Sequence, residues 1–290
     1  MQFVRKARMR LKSMLVVCLA LTLLAGGCFP WKKPQTEKKY TNLKEALAES
    51  PNVSQLWLIG NSYAAVPQEI TQFPGLKSLY LRKNQLVTVP PFLGQIKTLR
   101  LLDLGENNIA VFPKELCTLD GLEILYLSDN KMPNLAEGVG GLKGLWYLNL
   151  DRNSITSLPT GIGNLQSLLY MRLNGNKLQK LPAEMGSLKN LKRLYLSGNM
   201  LDGLPGELMS LTNLTDLDLS RNKLVSVPAA ITYLVNLERL NLEENGITSL
   251  PPDMKKLTKL QWIRLEKNPI AQADIEKLKK DLPASCTVIY

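Results

Sequence analysis

The chain contains no histidine, and this absence removes several kinds of chemistry at once. Serine and cysteine triads of the usual kind need an imidazole base, and zinc sites that use imidazole ligands are impossible. Paired carboxylates, as in glycoside hydrolysis, stay conceivable because 25 acidic residues are present. These acids are scattered in the manner of a solvated surface. We therefore expect no enzymatic activity, no cofactor and no metal site.

Long apolar runs are also scarce, and the longest of them lies at the amino terminus. Five basic residues precede an uncharged segment from Met14 to Ala25, and two glycines and Cys28 follow. This apolar core is shorter than the ~20 residues that a helix needs to span a bilayer. A basic start, an apolar middle and a small-residue end together predict a secretory signal peptide.

The end of that segment, Leu24-Ala-Gly-Gly-Cys28, resembles the lipobox of bacterial lipoproteins. It departs from the commonest form, which has leucine where this chain has Ala25. The resemblance implies a signal peptide over residues 1–27 and lipidation of Cys28. Because Phe29 rather than aspartate follows, it also implies transfer to the outer membrane, on either its periplasmic or its surface-exposed face. Ordinary secretion and an uncleaved anchor are the alternatives.

The net charge of +11 does not indicate a nucleic-acid partner. Five of the positive charges precede the apolar segment, and more lysines than acids lie between Cys28 and Asn52. The rest of the chain mixes both signs, so no basic patch is predicted for the folded part. Residues 28–40 are polar and contain proline, which favours a flexible tether whose lysines can touch anionic head groups.

A repeat with a period of 23 residues occupies most of the remaining chain. The frame L-x-x-L-x-L-x-x-N-x-L is clearest from Leu191 to Leu201. It resembles the leucine-rich-repeat family, in the 23-residue type found in bacteria, over residues 53–270. The asparagine of the frame recurs ten times, at Asn61, Asn84, Asn107, Asn130, Asn153, Asn176, Asn199, Asn222, Asn245 and Asn268.

The residue pattern agrees with that resemblance. Leucines alternate with other residues before each asparagine, which predicts a short strand with one buried face. Stacked repeats bury this face under a parallel sheet, and each inward asparagine can bond the turns of two repeats as a structural ladder. Proline follows the asparagine by six residues in eight repeats, which predicts 3₁₀ or helical turns on the outer side. Ala136 replaces this proline in repeat four, where we expect an irregular outer loop.

The fold class expected is therefore α/β, a leucine-rich-repeat solenoid in the form of a curved horseshoe. Its parallel β-sheet lines the concave face, and short helical or 3₁₀ turns form the convex face. An open solenoid needs caps. Residues 41–52 predict a helical N-terminal cap, because Asn42 and Glu45 have capping-box spacing. Residues 271–290 predict a helix followed by a strand as the C-terminal cap.

Outward positions of the strands are the candidate binding site. Four adjacent repeats place tyrosines there with arginines among them, and both residue types concentrate binding energy at interfaces. Aromatic residues also simply suit strands, which is the alternative explanation. We expect these side chains to lie outside the core, so that truncating them leaves stability nearly unchanged. The predicted partner-binding residues are Tyr126, Tyr147, Tyr170, Arg172, Arg193 and Tyr195.

These features predict a monomeric, non-enzymatic protein that is lipid-anchored at the bacterial cell envelope. The leading function is protein–protein interaction through the concave face. A glycan-binding surface adhesin is the second reading, because aromatic side chains can stack on sugars. An envelope enzyme is a distant third, since it would need a carboxylate pair that the pattern does not present. The identity of the partner does not follow from the residues.

Overall fold

Each repeat adds one short parallel strand to the same sheet. The computed structural model describes residues 38–290, so the predicted signal peptide, Cys28 and most of the predicted tether lie outside the described residues. Within that range the strands pair in strict chain order and in register, so that Tyr147 lies beside Tyr170. The sheet consists of β1 Lys39–Tyr40, β2 Gln55–Trp57, β3 Ser78–Tyr80, β4 Leu101–Asp103, β5 Ile124–Tyr126, β6 Tyr147–Asn149, β7 Tyr170–Arg172, β8 Arg193–Tyr195, β9 Asp216–Asp218, β10 Arg239–Asn241, β11 Trp262–Arg264 and β12 Thr287–Ile289.

The outer side consists of 3₁₀ turns, as the prolines predict. Seven of the eight prolines precede such a turn directly, and each has φ near the value that the pyrrolidine ring imposes. The turns are Gln68–Gln72, Pro91–Gln95, Lys114–Thr118, Glu137–Gly141, Thr160–Asn164, Ala183–Ser187, Gly206–Ser210, Ala229–Tyr233 and Met254–Lys256. The leucine-rich-repeat solenoid is confirmed.

The irregular outer loop expected in repeat four is absent, and that prediction was wrong. The turn Glu137–Gly141 has the same length and repeat position as Thr160–Asn164. Ala136 has φ −72° and ψ 146°, close to the −72° and 158° of Pro159. Alanine can adopt these angles without a ring, and the stacked turns on either side hold it there.

The core is one continuous column of leucines between the sheet and the outer turns. From β2 to β11, the inward residue of each strand and the leucine that follows it are almost entirely inaccessible, as Leu148 and Leu150 illustrate. Met171 and Ile263 replace leucine at the inward strand position and are equally buried. Complete burial of such a side chain contributes roughly 1.5–3 kcal/mol, which accounts for the uniformity of these positions.

The asparagine side chains connect successive repeats in the way that Asn153 shows. Its Nδ2 donates to the carbonyl oxygens of Leu127, at 2.9 Å, and Leu150, at 3.1 Å, and its Oδ1 accepts from the amide of Met132 at 3.2 Å. Similar bonds recur from Asn84 to Asn268. The first asparagine, Asn61, is exposed at the amino-terminal end. One carboxamide thus bonds backbone groups in two repeats.

The residue before the asparagine is in the left-handed region in all ten repeats. Three of these residues are glycines, Gly60, Gly175 and Gly198, but the other seven are charged, with φ between 52° and 59°. Left-handed backbone is unfavourable for residues that carry a Cβ. The neighbouring repeat holds it here: the amide of Arg152, for example, donates to the Asn174 carbonyl at 2.7 Å.

A second, shorter ladder stabilises the outer side and escaped the sequence analysis. Asn190, Asn213 and Asn236 each donate from Nδ2 to a backbone carbonyl 24 residues earlier, at 2.7–2.8 Å. Ser167 donates to the Lys143 carbonyl in the same way, at 2.7 Å. This ladder therefore links the outer turns of neighbouring repeats in the middle of the solenoid.

Both ends of the sheet are capped. The helix α1, Leu43–Glu49, begins after Asn42, whose Oδ1 accepts from the amides of Lys44 and Glu45. At the other end the helix α2, Gln272–Asp281, buries Ile275 and Leu278. The chain then returns as β12, which pairs with β11. The predicted helical N-terminal cap and helix-plus-strand C-terminal cap are confirmed.

Candidate binding surface on the concave face

The first and last residues of the strands β2 to β11 point away from the leucine core and form the concave face. Most of them are half-buried because the strands on either side shield them. Asp103, Tyr147 and Asp216 are the most enclosed, with exposed fractions of 6–9%. The face is therefore a close-packed layer of side chains, and its chemistry depends on which neighbours touch.

Four aromatic rings of repeats four to six pack side by side, and we call Tyr126, Trp146, Tyr147 and Tyr170 the aromatic strip. The ring centroids of Tyr126 and Tyr147 are 5.1 Å apart, and those of Tyr147 and Tyr170 are 6.3 Å apart. Trp146 meets both Tyr147 and Tyr170 edge-on at 6.0 Å. Such arrangements add about 0.5–1.5 kcal/mol per pair beyond area burial.

Tyr147 lies at the centre of the aromatic strip and is only 9% exposed. Burial raises the pKa of its phenol to about 12, since the phenolate would be poorly solvated. The expectation that the predicted binding residues lie outside the core was therefore wrong for Tyr147. Tyr126 and Tyr170 occupy comparable strand positions but remain partly exposed.

Arg172 is held in place by a carboxylate and a ring. Its Nε and Nη2 lie 2.7 Å from Oδ2 of Asp151, whose side chain is only 1% exposed. The other oxygen of Asp151 accepts from the Asn174 amide at 2.7 Å. The Arg172 guanidinium lies 5.3 Å from the ring centroid of Tyr195, within cation–π range.

Arg193 has a similar environment one repeat further on. Its guanidinium lies 5.1 Å from the ring centroid of Tyr170, and its Nε is 3.4 Å from Asp216. The opposite side of Asp216 is bound by Arg239, at 2.6 Å. Two arginines thus clamp one enclosed carboxylate, and the hydroxyl of Thr215 donates to that carboxylate at 2.7 Å.

The ionic contacts continue through repeats nine and ten. Glu238 lies 3.8 Å from Arg239, and Arg264 bridges Glu266 at 3.1 Å and Glu243 at 3.9 Å. Asp218 accepts from both the amide and the hydroxyl of Ser220. We call the side chains of Asp216, Asp218, Arg239 and Arg264, with these partners, the ionic lattice.

The six predicted partner-binding residues come together in one area of repeats four to seven. Three of them are tyrosines of the aromatic strip. Arg193 lies over the ring of Tyr170, and Arg172 lies over the ring of Tyr195. The sequence analysis missed Trp146, which precedes its strand and so seemed to lie off the face. It also missed the carboxylates of Asp151 and Asp216. A comparison of residues 23 apart pairs Arg193 with Asp216, whereas Asp151 lies 21 residues before Arg172 and is not found in this way.

The amino-terminal end of the face has its own aromatic pair. Trp57 stacks on Tyr80 with the ring centroids 4.0 Å apart, and the ammonium of Lys39 lies 4.5 Å from the Trp57 ring. Within residues 38–290 no group of acidic and cysteine side chains is arranged to hold a metal ion. In the same range no helix has both the length and the apolar character to cross a membrane.

Comparison with known families identifies the repeat. A family model described as leucine-rich repeat region matches residues 136–226, and one described as leucine rich repeat matches residues 74–132 and 212–270. Together the matches extend over more than half of the chain. The chain belongs to the leucine-rich-repeat family, whose fold commonly serves protein–protein interaction. Comparison with curated proteins gave no match.

Solved structures with the same fold come from bacteria and plants. A leucine-rich-repeat protein of Leptospira interrogans matches over 87% of this chain and 100% of its own, with 24% identity and a TM-score of 0.50. That likeness concerns the fold alone. The ectodomain of the Arabidopsis thaliana receptor kinase GASSHO1/SCHENGEN3 matches over 86% of this chain, with 28% identity and a TM-score of 0.69.

The plant peptide hormone receptor RGFR1, in complex with RGF2, matches over 81% of this chain with 29% identity and a TM-score of 0.68. The present chain spans only 34% and 42% of the two receptor chains. Both plant structures are complexes. RGFR1 is bound to RGF2, and the GASSHO1/SCHENGEN3 ectodomain is bound to Casparian strip integrity factor 2.

Proposed function

We propose that the chain is a non-enzymatic binding protein, anchored in a bacterial envelope membrane, that recognises a protein partner through the concave face. The aromatic strip carries this proposal. Tyr126 and Tyr170 are partly exposed in a row of rings whose positions are fixed by rigid strands. Such side chains lose little conformational entropy when a partner covers them, so they are efficient anchors.

The related plant receptors support a polypeptide ligand. One solved complex pairs a leucine-rich-repeat ectodomain with Casparian strip integrity factor 2, and the other pairs a peptide hormone receptor with RGF2. The ring spacing supports the same conclusion, because a protein partner can lay apolar side chains across adjacent rings.

Site-specific photocrosslinking in the native cell tests the proposal. A photoreactive amino acid at Tyr170 should capture a discrete protein, because this position belongs to the aromatic strip and is partly exposed. The matched control carries the same group at Lys189, which is exposed on the outer side. Capture of the same protein at Lys189 and not at Tyr170 would contradict the concave-face assignment.

A glycan ligand is the second candidate, and the aromatic strip is the observation that favours it. Sugar rings stack on tyrosine and tryptophan faces, and Trp146 is half-buried beside Tyr170. Binding to a glycan array that disappears in Tyr170→Ala, with no protein captured at this position, would favour the glycan.

Membrane anchoring rests on the residues before the described part of the chain. The basic, apolar and small residues that end in Cys28 support a lipidated cysteine. A single acyl chain binds a bilayer only marginally, so stable anchoring requires several chains on that residue. Cys28→Ala should release the protein from membranes. An unmodified mature terminus in mass spectrometry, or a variant that stays membrane-bound, would contradict the anchor.

A further inference from the structure

The first outward position of the strands carries an apolar or aromatic side chain in four adjacent repeats. Leu101, Ile124, Tyr147 and Tyr170 occupy it, and we call these four residues the apolar row. Neighbouring strands lie about 4.8 Å apart, so the row is roughly 14 Å long. Leu101 therefore extends the apolar surface one repeat beyond the aromatic strip towards the amino terminus, and Ile124 lies beside Tyr126 in repeat four.

One flank of the apolar row is uncharged in repeats five and six, whereas Arg100 and Glu123 occupy it in repeats three and four and pair at 3.8 Å. Trp146 and Leu169 immediately precede the strands that carry Tyr147 and Tyr170, and both are half-buried. Tyr126 lies on the opposite flank and packs against Tyr147 at 5.1 Å between ring centroids. Around Tyr147 the row therefore has aromatic neighbours on both flanks.

The same row becomes basic directly after Tyr170. Arg193 pairs with Tyr170 across the strands, and Lys192 beside it is exposed and forms no ion pair with any other described residue. Arg193 and Arg239 share the two carboxylates of Asp216 and Glu238, and Lys192 adds a third cation without an acidic partner among the described residues. One positive charge is therefore in excess at this end of the apolar row.

We infer that the apolar row binds an extended segment of the partner in which an apolar stretch is followed by an acidic side chain. The inference rests on the proposed function and specifies its ligand. An extended chain rises about 3.3 Å per residue, so four or five residues cover the row. An acidic side chain two to four positions further on reaches Arg193 and Lys192. Arg193 is already oriented by Tyr170 and Asp216, which favours a charge-assisted hydrogen bond.

Selection from a random dodecapeptide phage library against the immobilised full-length protein tests this inference. The enriched peptides should contain at least two apolar residues in a span of four, followed within four positions by aspartate or glutamate. A double variant, Lys192→Gln with Arg193→Gln, should still enrich the apolar residues but lose the preference for an acid. Synthetic peptides from the wild-type selection should bind this variant at least tenfold more weakly.

Two further variants locate the bound peptides. Leu101→Ser with Ile124→Ser should reduce their binding at least tenfold, whereas the outer-side control Lys189→Gln should leave it unchanged. Circular dichroism checks that each variant is folded. If Leu101→Ser with Ile124→Ser is not folded, the single variant Ile124→Val takes its place. A twofold or greater loss of binding is expected for that milder change.

The outcomes separate this inference from the proposed function. Enriched peptides with basic residues, peptides without an apolar stretch, or no enrichment at all would overturn the inference. The concave-face function still stands if such peptides lose binding in Tyr126→Ala with Tyr170→Ala. If enriched peptides bind that double variant as well as wild type but lose binding in Lys189→Gln, both the inference and the proposed function fail.

Discussion

Repeats four to six and repeats eight to ten have the same backbone fold, but their side chains give the concave face a different chemical character. The aromatic strip consists of rings that contact one another, whereas the ionic lattice consists of charges that neutralise one another. The leucine core and the asparagine ladder run through both halves. The outward strand positions can therefore differ between repeats without a change of fold.

The two groups of repeats also differ in the free-energy cost of covering their surface with a partner. Charges in the ionic lattice already have partners, and covering them costs desolvation that a new contact must recover. Partly exposed rings have no comparable requirement, and covering them removes apolar surface from water. This difference is why we place the binding site on the aromatic strip and treat the ionic lattice as self-satisfied surface.

The largest loss of stability should come from removing an asparagine of the ladder that both groups of repeats share. Asn153→Ala leaves the Met132 amide and the Leu127 and Leu150 carbonyls without their partner, at roughly 1–3 kcal/mol for each buried group. Asn268→Ala should cost less, because Asn268 is only half-buried and water can replace some of its bonds. Denaturant midpoints measure both. Equal midpoints for wild type and Asn153→Ala would refute the ladder's contribution to stability.

The next effect distinguishes Tyr147 from its neighbours in the aromatic strip. Tyr147→Ala should lower the free energy of unfolding by about 2 kcal/mol, because an enclosed ring with three aromatic neighbours is lost. Tyr170→Ala should cost clearly less, since that ring is more exposed. Tyr147→Phe keeps the ring and serves as the control. Equal losses for the two alanine variants would show that Tyr147 is no more enclosed than Tyr170.

A smaller effect tests the ionic lattice. Asp216→Asn leaves Arg193 and Arg239 without the carboxylate between them and should cost about 1 kcal/mol at low salt. The loss should shrink at 1 M salt, because the remaining repulsion between the arginines is screened. Asp253→Asn, which removes an exposed pair with Lys256, is the control and should change stability too little to measure. A loss that is independent of salt would contradict the ionic origin.

The smallest effect is spectroscopic. Burial raises the pKa of Tyr147 to about 12, so its phenol should ionise at a higher pH than an ordinary tyrosine, whose pKa is near 10. The unfolded chain then loses its proton first, so the free energy of unfolding should fall as pH rises from about 10 to 12. This contribution is fully present below pH 10. An absorbance titration should therefore show a late-ionising component in wild type that is missing in Tyr147→Phe. If the variant keeps that component, the burial of Tyr147 is contradicted.

The sequence predicted the parts of the molecule that depend on period and polarity. The strands, the outer turns, both caps and the inward leucines follow from these patterns, and so does the gathering of six aromatic and basic residues on one face. The difference between Tyr147 and Tyr170 did not follow. Both occupy the first outward position of a strand, and only side-chain packing shows that Tyr126 and Trp146 enclose Tyr147.

Pairing among charges was equally out of reach of the sequence. Asp151 and Asp216 look like ordinary surface acids in the repeat frame, and their burial depends on the orientation of Arg172 and Arg193. The expected irregularity at Ala136 failed for a related reason. A local residue preference was outweighed by the stacked repeats on either side, which determine the backbone of a solenoid.

The affinity of the photocaptured partner for two pairs of variants tests the central claim most directly. Tyr126→Ala with Tyr170→Ala alters the aromatic strip, and Asp218→Asn with Arg264→Gln alters the ionic lattice. The account predicts at least a tenfold rise in Kd, or about 1.4 kcal/mol, for the first pair and less than a threefold change for the second. A partner that tolerates the loss of both tyrosines but loses affinity when the ionic lattice changes would contradict it.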